Sequence, residues 1–308
     1  MSTVKIFAGS ASQALGEKIA QSYGVKPGAL TLNKFSDGEM CPTFDESVRG
    51  CDVFIIQSTY PPADHILELL LMIDASRRAS AKHVTVIVPY FGYARQDRKD
   101  QPRVSIAAKL NANLLSAAGA DRVMTIDLHA GQIQGFFDIP MDHLYGSAIF
   151  VPYLRQLQSK NIVFAAPDVG GVGRARAFAK YFNAELVVCD KHRKRANEVA
   201  SMQVIGNVED ADVVLVEDLI DTAGTICKAT QVIKEKGART VRALATHGVL
   251  SGKALENIGN SMLEELVITD TIPLRTPHEK ISVLTVANLF ANAIKEIRTQ
   301  GSISSLFI

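Results

Sequence analysis

The chain has 308 residues, 47% of them hydrophobic, with 33 Lys or Arg against 32 Asp or Glu and a formal net charge of +1. That length allows two ordinary domains, each burying its own core, and the even charge balance gives no field that would gather nucleic acid or an anionic membrane. No apolar run approaches membrane-spanning length, the N-terminus lacks a signal-peptide core, and Cys41, Cys51, Cys189 and Cys227 show no paired or metal-like spacing, so the expectation is a cytoplasmic protein with reduced thiols.

Residues 4–8 read as a short apolar strand, and 11–22 as a helix with its stripe at Leu15 and Ile19. FSDGE, over 35–39, then sets Phe35, whose ring can stack on a base, beside Asp37 and Glu39, whose carboxylates can accept amino protons. The same five residues also fit an ordinary Asp-Gly turn. Apolar strands are expected at 53–56, 84–88 and 123–126, with helical patterns between them at about 65–79 and 105–118. The loop after the second of these strands, YFGYARQDRKD over 90–100, offers Arg95, Gln96, Arg98 and Lys99 as donors to a polyphosphate, or forms a solvated charge run. After the third, DLHAGQIQGFF over 127–137 opens on Asp127 and His129. That histidine suits a metal ligand, an acid-base group or a satisfied side chain at a domain junction.

A second series of strands is expected at 162–165, 186–188, 213–216, 241–246 and 266–269, again interleaved with helices. The alternation predicts an α/β fold of two similar halves, 1–146 and 147–308, each a mainly parallel sheet flanked by helices. Within the second half, PDVGGVGRARAFA places Asp168 and three glycines between a strand and a basic helix start. The carboxylate could bind Mg²⁺ directly or through water, and the glycines permit close approach, although a tight strand-to-helix turn needs the same residues. DKHRKRAN, over 190–197, lacks helical periodicity and reads as a mobile basic loop. Lys191 and Arg193 there could neutralise charge growing on a transferring phosphoryl group.

The most informative stretch is VVLVEDLIDTAGT, over 213–225. A strand buried on both faces runs into Glu217 and Asp218, expected at its carboxyl end, where open α/β sheets bind ligands; two acids there can accept hydrogen bonds from a sugar diol. Asp221, Thr222, Ala223, Gly224 and Thr225 then enter a helix, offering backbone N–H groups, hydroxyls and a positive dipole end to a monophosphate. Asp221 or Thr222 is also expected to cap that helix. No Walker A, GxGxxG or HExxH sequence occurs.

The stretch 217–225 resembles the ribose 5-phosphate loop of the phosphoribosyltransferase superfold. Taken in order with FSDGE, ARQDRKD, DLHAGQIQGFF, PDVGGVGRARAFA and DKHRKRAN, it makes essentially the whole chain resemble the ribose-phosphate diphosphokinases, or PRPP synthetases, of class I. The resemblance implies two phosphoribosyltransferase-like domains and transfer of the diphosphoryl group of ATP to the C1 hydroxyl of ribose 5-phosphate, with Mg²⁺. It implies that Phe35, Asp37 and Glu39 contact adenine in a neighbouring subunit's site, that Arg95 and Gln96 hold ATP, and that His129 and Asp168 bind metal. Glu217, Asp218, Asp221, Thr222, Ala223, Gly224 and Thr225 would hold ribose 5-phosphate, with Lys191 and Arg193 as the catalytic cations. Glu217 departs from the aspartate of many members, which could shift the diol. Arg49, Lys99, Arg103, Gln134, Asp142, Tyr145, Ser302, Ser304 and Phe307 resemble a regulatory site for phosphate and ADP, which implies a hexamer built from dimers. A phosphoribosyltransferase that attaches a base would share 217–225 but has no need of the other motifs. A non-catalytic associated subunit should have lost Lys191, Arg193, His129 or Asp168, and all four are present.

Overall fold

A computed structural model of the chain describes residues 2–192 and 201–306, the side chains of 191, 192 and 201 excepted. The chain divides into two compact units, the first made of 1–146, 271–273 and 285–308, the second of 147–270 and 274–284.

The first unit contains β1 (Val4–Ala8), α1 (Gln13–Tyr23), β2 (Leu30–Lys34), β3 (Met40–Phe44), β4 (Asp52–Ile56), α2 (Asp64–Arg78), β5 (His83–Val88), α3 (Ala107–Ala118), β6 (Arg122–Ile126) and β7 (Met141–Leu144). Five strands form a wholly parallel sheet in the order β1-β4-β5-β6-β7. Every residue of β4 is buried, as expected of a strand covered on both faces. Phe7, Val53, Ile55, Val86, Leu69 and Met72 belong to the core built on this sheet. The strands β2 and β3 stand apart as an antiparallel hairpin.

The second unit contains α4 (Ser147–Gln156), β8 (Ile162–Ala166), α5 (Val172–Phe182), β9 (Glu185–His192), β10 (Ser201–Ile205), β11 (Asp212–Ile220), α6 (Gly224–Glu235), β12 (Thr240–Gly248), α7 (Ala254–Gly259), β13 (Glu265–Thr269) and β14 (Ile281–Leu284). Its seven strands run β10-β9-β8-β11-β12-β13-β14, and all pairs are parallel except β9 with β10. The α/β class with two mainly parallel sheets is therefore as the hydrophobic alternation predicts.

Three local differences bear on the site. The last helix, α8 (Ala287–Thr299), belongs to the first unit, whereas a boundary at 147 assigns it to the second half. Its apolar stripe of Leu289, Phe290, Ala293 and Ile294 is buried, it packs on α1, and Arg298 at its end pairs with Asp52 and donates to the Ser2 carbonyl at 2.6 Å. Chain order alone does not say to which sheet a terminal helix returns. Second, β9 continues through Asp190, Lys191 and His192, opposite Gln203, Met202 and Ser201, so the segment expected to be a loop from 190 begins as strand. An antiparallel partner supplies the ladder, and nothing in the hydropathy of a basic stretch reveals that partner. Arg193 lies outside the described residues, as does Phe307.

Third, β11 extends past 216 to Ile220. Its first residue anchors it: the Asp212 carboxylate accepts hydrogen bonds from Arg239 Nε at 2.9 Å, Thr240 Oγ1 at 2.8 Å and Ser159 Oγ at 2.5 Å. Arg239 and these hydroxyls hold the Asp212 carboxyl well below the usual carboxylate range, Arg239 most strongly. A depressed folded-state pKa means that this stability is present above the ordinary aspartate value near 4 and is lost as pH falls further. Asp212→Ala should therefore cost about 2 kcal/mol at pH 7, with a smaller difference from the parent at pH 3. Thermal melts at both pH values measure this, and an equal loss at each would remove the ionic part of the explanation.

Candidate functional site

In the first unit, FSDGE is the tip of the β2–β3 hairpin. Phe35 N–H donates to the Glu39 carbonyl at 2.8 Å, Gly38 N–H to the Phe35 carbonyl at 2.9 Å, and the Asp37 carboxylate accepts from Glu39 N–H at 3.0 Å. Gly38 takes φ of +100°, a conformation that explains the glycine. The turn pushes Phe35 outward, leaving it 58% exposed. An exposed aromatic ring on a rigid tip is a stacking surface, because its unit has no use for it as core.

Beyond the carboxyl ends of β5 and β6, a cavity of about 440 Å³ is lined by Arg95, Gln96, Arg98, Ser105, His129 and Gln132, among others. Ser105 Oγ donates to Gln96 Oε1 at 3.2 Å, and Gln132 Nε2 to Asp97 Oδ2 at 2.9 Å. The structure thus brings Arg95, Gln96 and His129 together with Arg98 around one cavity, donor types that suit a polyphosphate. His129 follows a strained turn in which Asp127 adopts φ of +42° and accepts from Gly146 N–H at 3.0 Å.

Of the residues suggested for regulation, Asp142 is held by Arg122, whose Nη1 lies 2.8 Å and 2.7 Å from its two carboxylate oxygens, and Arg49 Nη1 donates to Ser80 Oγ at 3.3 Å. Gln134 Nε2 donates to the Gly131 carbonyl at 2.9 Å, and the Tyr145 ring sits 4.7 Å from that of His143. Lys99 and Arg103 are exposed on the loop after Arg98, and Ser302 and Ser304 are exposed in the tail after α8.

In the second unit, the candidate acids Glu217 and Asp218 lie on β11. Its pairing with β8 ends at Leu215, opposite Ala165, while its pairing with β12 runs on to Ile220. Glu217 and Asp218 therefore lie inside the strand, at the point where one neighbour has left, rather than beyond its end. Arg174, one turn into α5, reaches both: Nη1 lies 3.4 Å from Glu217 and Nη2 3.2 Å from Asp218. Sequence reasoning missed this arginine, although its place after the three glycines of 170–173 was a usable signal. Burial raises the Glu217 pKa, the neighbouring Asp218 carboxylate raises it further, and Arg174 offsets only part. Asp168 is exposed after β8 and accepts from Gly171 N–H at 3.0 Å, which braces the start of α5.

The following loop also differs from expectation at its cap. Ala223, with φ of +61° and no side-chain oxygen of its own, occupies the N-cap position of α6, where Asp221 or Thr222 was expected. The Asp221 carboxylate accepts from Ser251 Oγ. Thr222, Gly224 and Thr225 are exposed at the helix start, and Gly224 has room around its Cα, an arrangement that suits an anion at the helix N-terminus.

Comparison with known proteins identifies the family. The family described as the N-terminal domain of ribose phosphate pyrophosphokinase matches residues 4–119, and a phosphoribosyl synthetase-associated domain matches 188–308. The chain is 52% identical to the ribose-phosphate pyrophosphokinase of Porphyromonas gingivalis, covering 98% of this chain and 97% of that one. It is 54% identical to that of Campylobacter jejuni, covering 99% of each. The crystal structure of phosphoribosylpyrophosphate synthetase from Mycobacterium smegmatis superposes with a TM-score of 0.92 at 38% identity, over 97% of this chain and 100% of that one. The chain belongs to the ribose-phosphate pyrophosphokinase family, and its reaction transfers the diphosphoryl group of ATP to the C1 hydroxyl of ribose 5-phosphate, giving AMP and 5-phosphoribosyl 1-diphosphate.

Proposed function

We propose that the two substrates of this reaction are divided between the units, with ATP held by residues of the first and ribose 5-phosphate by residues of the second. The observation that carries the reading is the end of β11, where the half-buried Glu217 and the buried Asp218 are followed, in the same unit, by an exposed helix start. Glu217 and Asp218 accept the 2,3-diol, while the backbone and hydroxyls of 221–225, with Thr222 and Thr225 foremost, take the 5-phosphate. Arg95 and Gln96 bind the polyphosphate, and Phe35, Asp37 and Glu39 bind adenine from a neighbouring subunit's hairpin. That last role makes a homo-oligomer part of the proposal, a hexamer being the form expected from class I members.

Mg²⁺ fits this donor set as a partly protein-held ion. Among the described residues, no group of three or more His, Cys, Asp or Glu side chains is poised to enclose a metal. Mg²⁺ commonly keeps its waters and takes one or two protein ligands together with substrate phosphates, so His129 and the exposed Asp168 are suited to hold it in that way. When bound, it supplies charge neutralisation to the phosphate oxygens. The chain's own residues then orient the C1 hydroxyl toward the β-phosphorus, and Lys191 and Arg193 offset the negative charge that builds during transfer.

Asp221→Ala tests the partition. It should raise the KM for ribose 5-phosphate about tenfold while leaving that for ATP within twofold, because Asp221 lies on the sugar loop and the nucleotide residues lie in the other unit. A melt must accompany the kinetics, since Asp221 is tied to Ser251. Equal loss of both affinities would sink the partition. AMP formed from ATP and ribose 5-phosphate without any added base separates this reading from a base-attaching transferase.

The regulatory part of the proposal concerns Arg49, Lys99, Arg103, Gln134, Asp142, Tyr145 and the tail with Ser302, Ser304 and Phe307, as a site for phosphate and ADP. Deleting residues 302–308 should weaken ADP inhibition or phosphate activation without removing any group assigned to chemistry. An unchanged response in a variant of unchanged oligomer size counts against it.

A further inference from the structure

The backbone of 221–225 is set by a segment to which no role has been given. Leu250 N–H donates to the Ile220 carbonyl at 3.0 Å, Ser251 N–H to the Asp221 carbonyl at 3.0 Å, and Asn257 Nδ2 to the Thr222 carbonyl at 2.9 Å. In a planar trans peptide, the carbonyl of one residue and the N–H of the next point in opposite directions. Holding the carbonyls of 220, 221 and 222 against the 250–257 segment therefore turns the N–H groups of Asp221, Thr222 and Ala223 the other way. Successive N–H groups turned in one direction form a concavity that binds anions. Ala223 then bends the chain into α6 through a left-handed conformation that is unfavourable for an alanine and persists only where the surroundings enforce it.

The same serine acts twice, because Ser251 Oγ also donates to Asp221 Oδ1 and so fixes the carboxylate of the residue whose carbonyl its N–H holds. Asn257 lies on α7, whose start is tied to Ser251 by the Ala254 N–H at 3.1 Å from the Ser251 carbonyl. The brace is thus one short unit, 250–257, acting on three consecutive peptides. Ser251 is exposed and Asn257 half-buried, so neither is needed to fill the core.

We propose that Ser251 and Asn257 are positioning residues for the sugar phosphate, which aim the N–H groups of 221–223 at the 5-phosphate before it arrives. This rests on the reading of 221–225 as the ribose-phosphate loop. The test uses the full-length enzyme, with KM for each substrate, kcat and thermal midpoint measured for Asn257→Asp, Ser251→Ala, Ser251→Thr and Thr225→Val.

Asn257→Asp keeps size but removes the donor, and should raise the KM for ribose 5-phosphate about tenfold, with kcat and the KM for ATP within twofold and the thermal midpoint unchanged. Ser251→Ala should raise it about fivefold, and Ser251→Thr, which keeps the hydroxyl, should stay near the parent. A ribose 5-phosphate KM near the parent value in both Asn257→Asp and Ser251→Ala, while Thr225→Val is impaired, overturns the brace and leaves the loop reading standing. An unimpaired Thr225→Val overturns the loop reading, and the brace with it. Losses shared equally with ATP, or matched by a fall in thermal midpoint, would make the two residues structural and also overturn the proposal.

Discussion

Lys191→Ala is expected to lower kcat by about 100- to 1,000-fold while changing ATP affinity little, the loss typical of removing one preorganised donor to transition-state charge. As the C1 oxygen attacks the β-phosphorus, negative charge moves across the diphosphoryl group and onto departing AMP. A cation that meets this charge only as it develops favours the transition state over the bound substrate. The fold adds a reason for the lysine to be well placed. Its backbone is not in an open loop but in β9, opposite Met202 of β10, so a hydrogen-bonded ladder fixes where the side chain starts. Arg193, two residues further, would bring a planar and more rigid set of donors. Single-turnover AMP formation and equilibrium ATP binding on the same variant decide the matter. Near-normal chemistry with a large loss of ATP affinity would make Lys191 a binding residue and end the catalytic assignment.

That lysine also marks the limit of what the sequence discloses. The strand β4 was legible because four consecutive apolar residues, Val53 to Ile56, demand cover on both sides, and β11 likewise announced itself through Val213, Val214, Leu215 and Val216. The acids Glu217 and Asp218 were legible as a pair. Their position inside a strand was not, because it depends on β8 stopping at a level that β12 passes. What Ser251 and Asn257 touch was invisible for a similar reason: each is identified by its contacts across the fold, and one polar residue in a loop or helix looks like another, whereas Arg174 left a usable signal in its place after the glycines of 170–173. Ala223 carried a misleading signal, since a left-handed cap ordinarily suggests Gly or Asn. The return of α8 to the first unit could be read only from the burial of its stripe against α1.

The acid pair yields the second large effect, and one with a pH signature. Asp218→Asn should lower kcat/KM for ribose 5-phosphate on the order of 100-fold, because it leaves the sugar diol one charged acceptor short and Arg174 with a single partner. The Glu217 carboxyl, with its pKa raised first by burial and then by Asp218, holds a proton into the neutral range in the ligand-free chain. A diol donates to carboxylates, so binding should favour the ionised pair and release that proton. Affinity for ribose 5-phosphate is then expected to increase as pH rises through the raised value, and Glu217→Gln should flatten the profile. Ionisation of the substrate's own phosphate, near pH 6, acts on parent and variant alike and drops out of the comparison. Stability should move in the opposite sense: a raised folded-state pKa means the native state binds more protons than the unfolded one between the ordinary glutamate value and the raised one. The parent therefore loses stability as pH climbs through that window, and Glu217→Gln should gain on it at pH 8 relative to pH 5. If the ribose 5-phosphate profile of Glu217→Gln followed that of the parent across pH 6.5–8.5, the titrating group would be elsewhere and the pair would bind the diol without exchanging a proton.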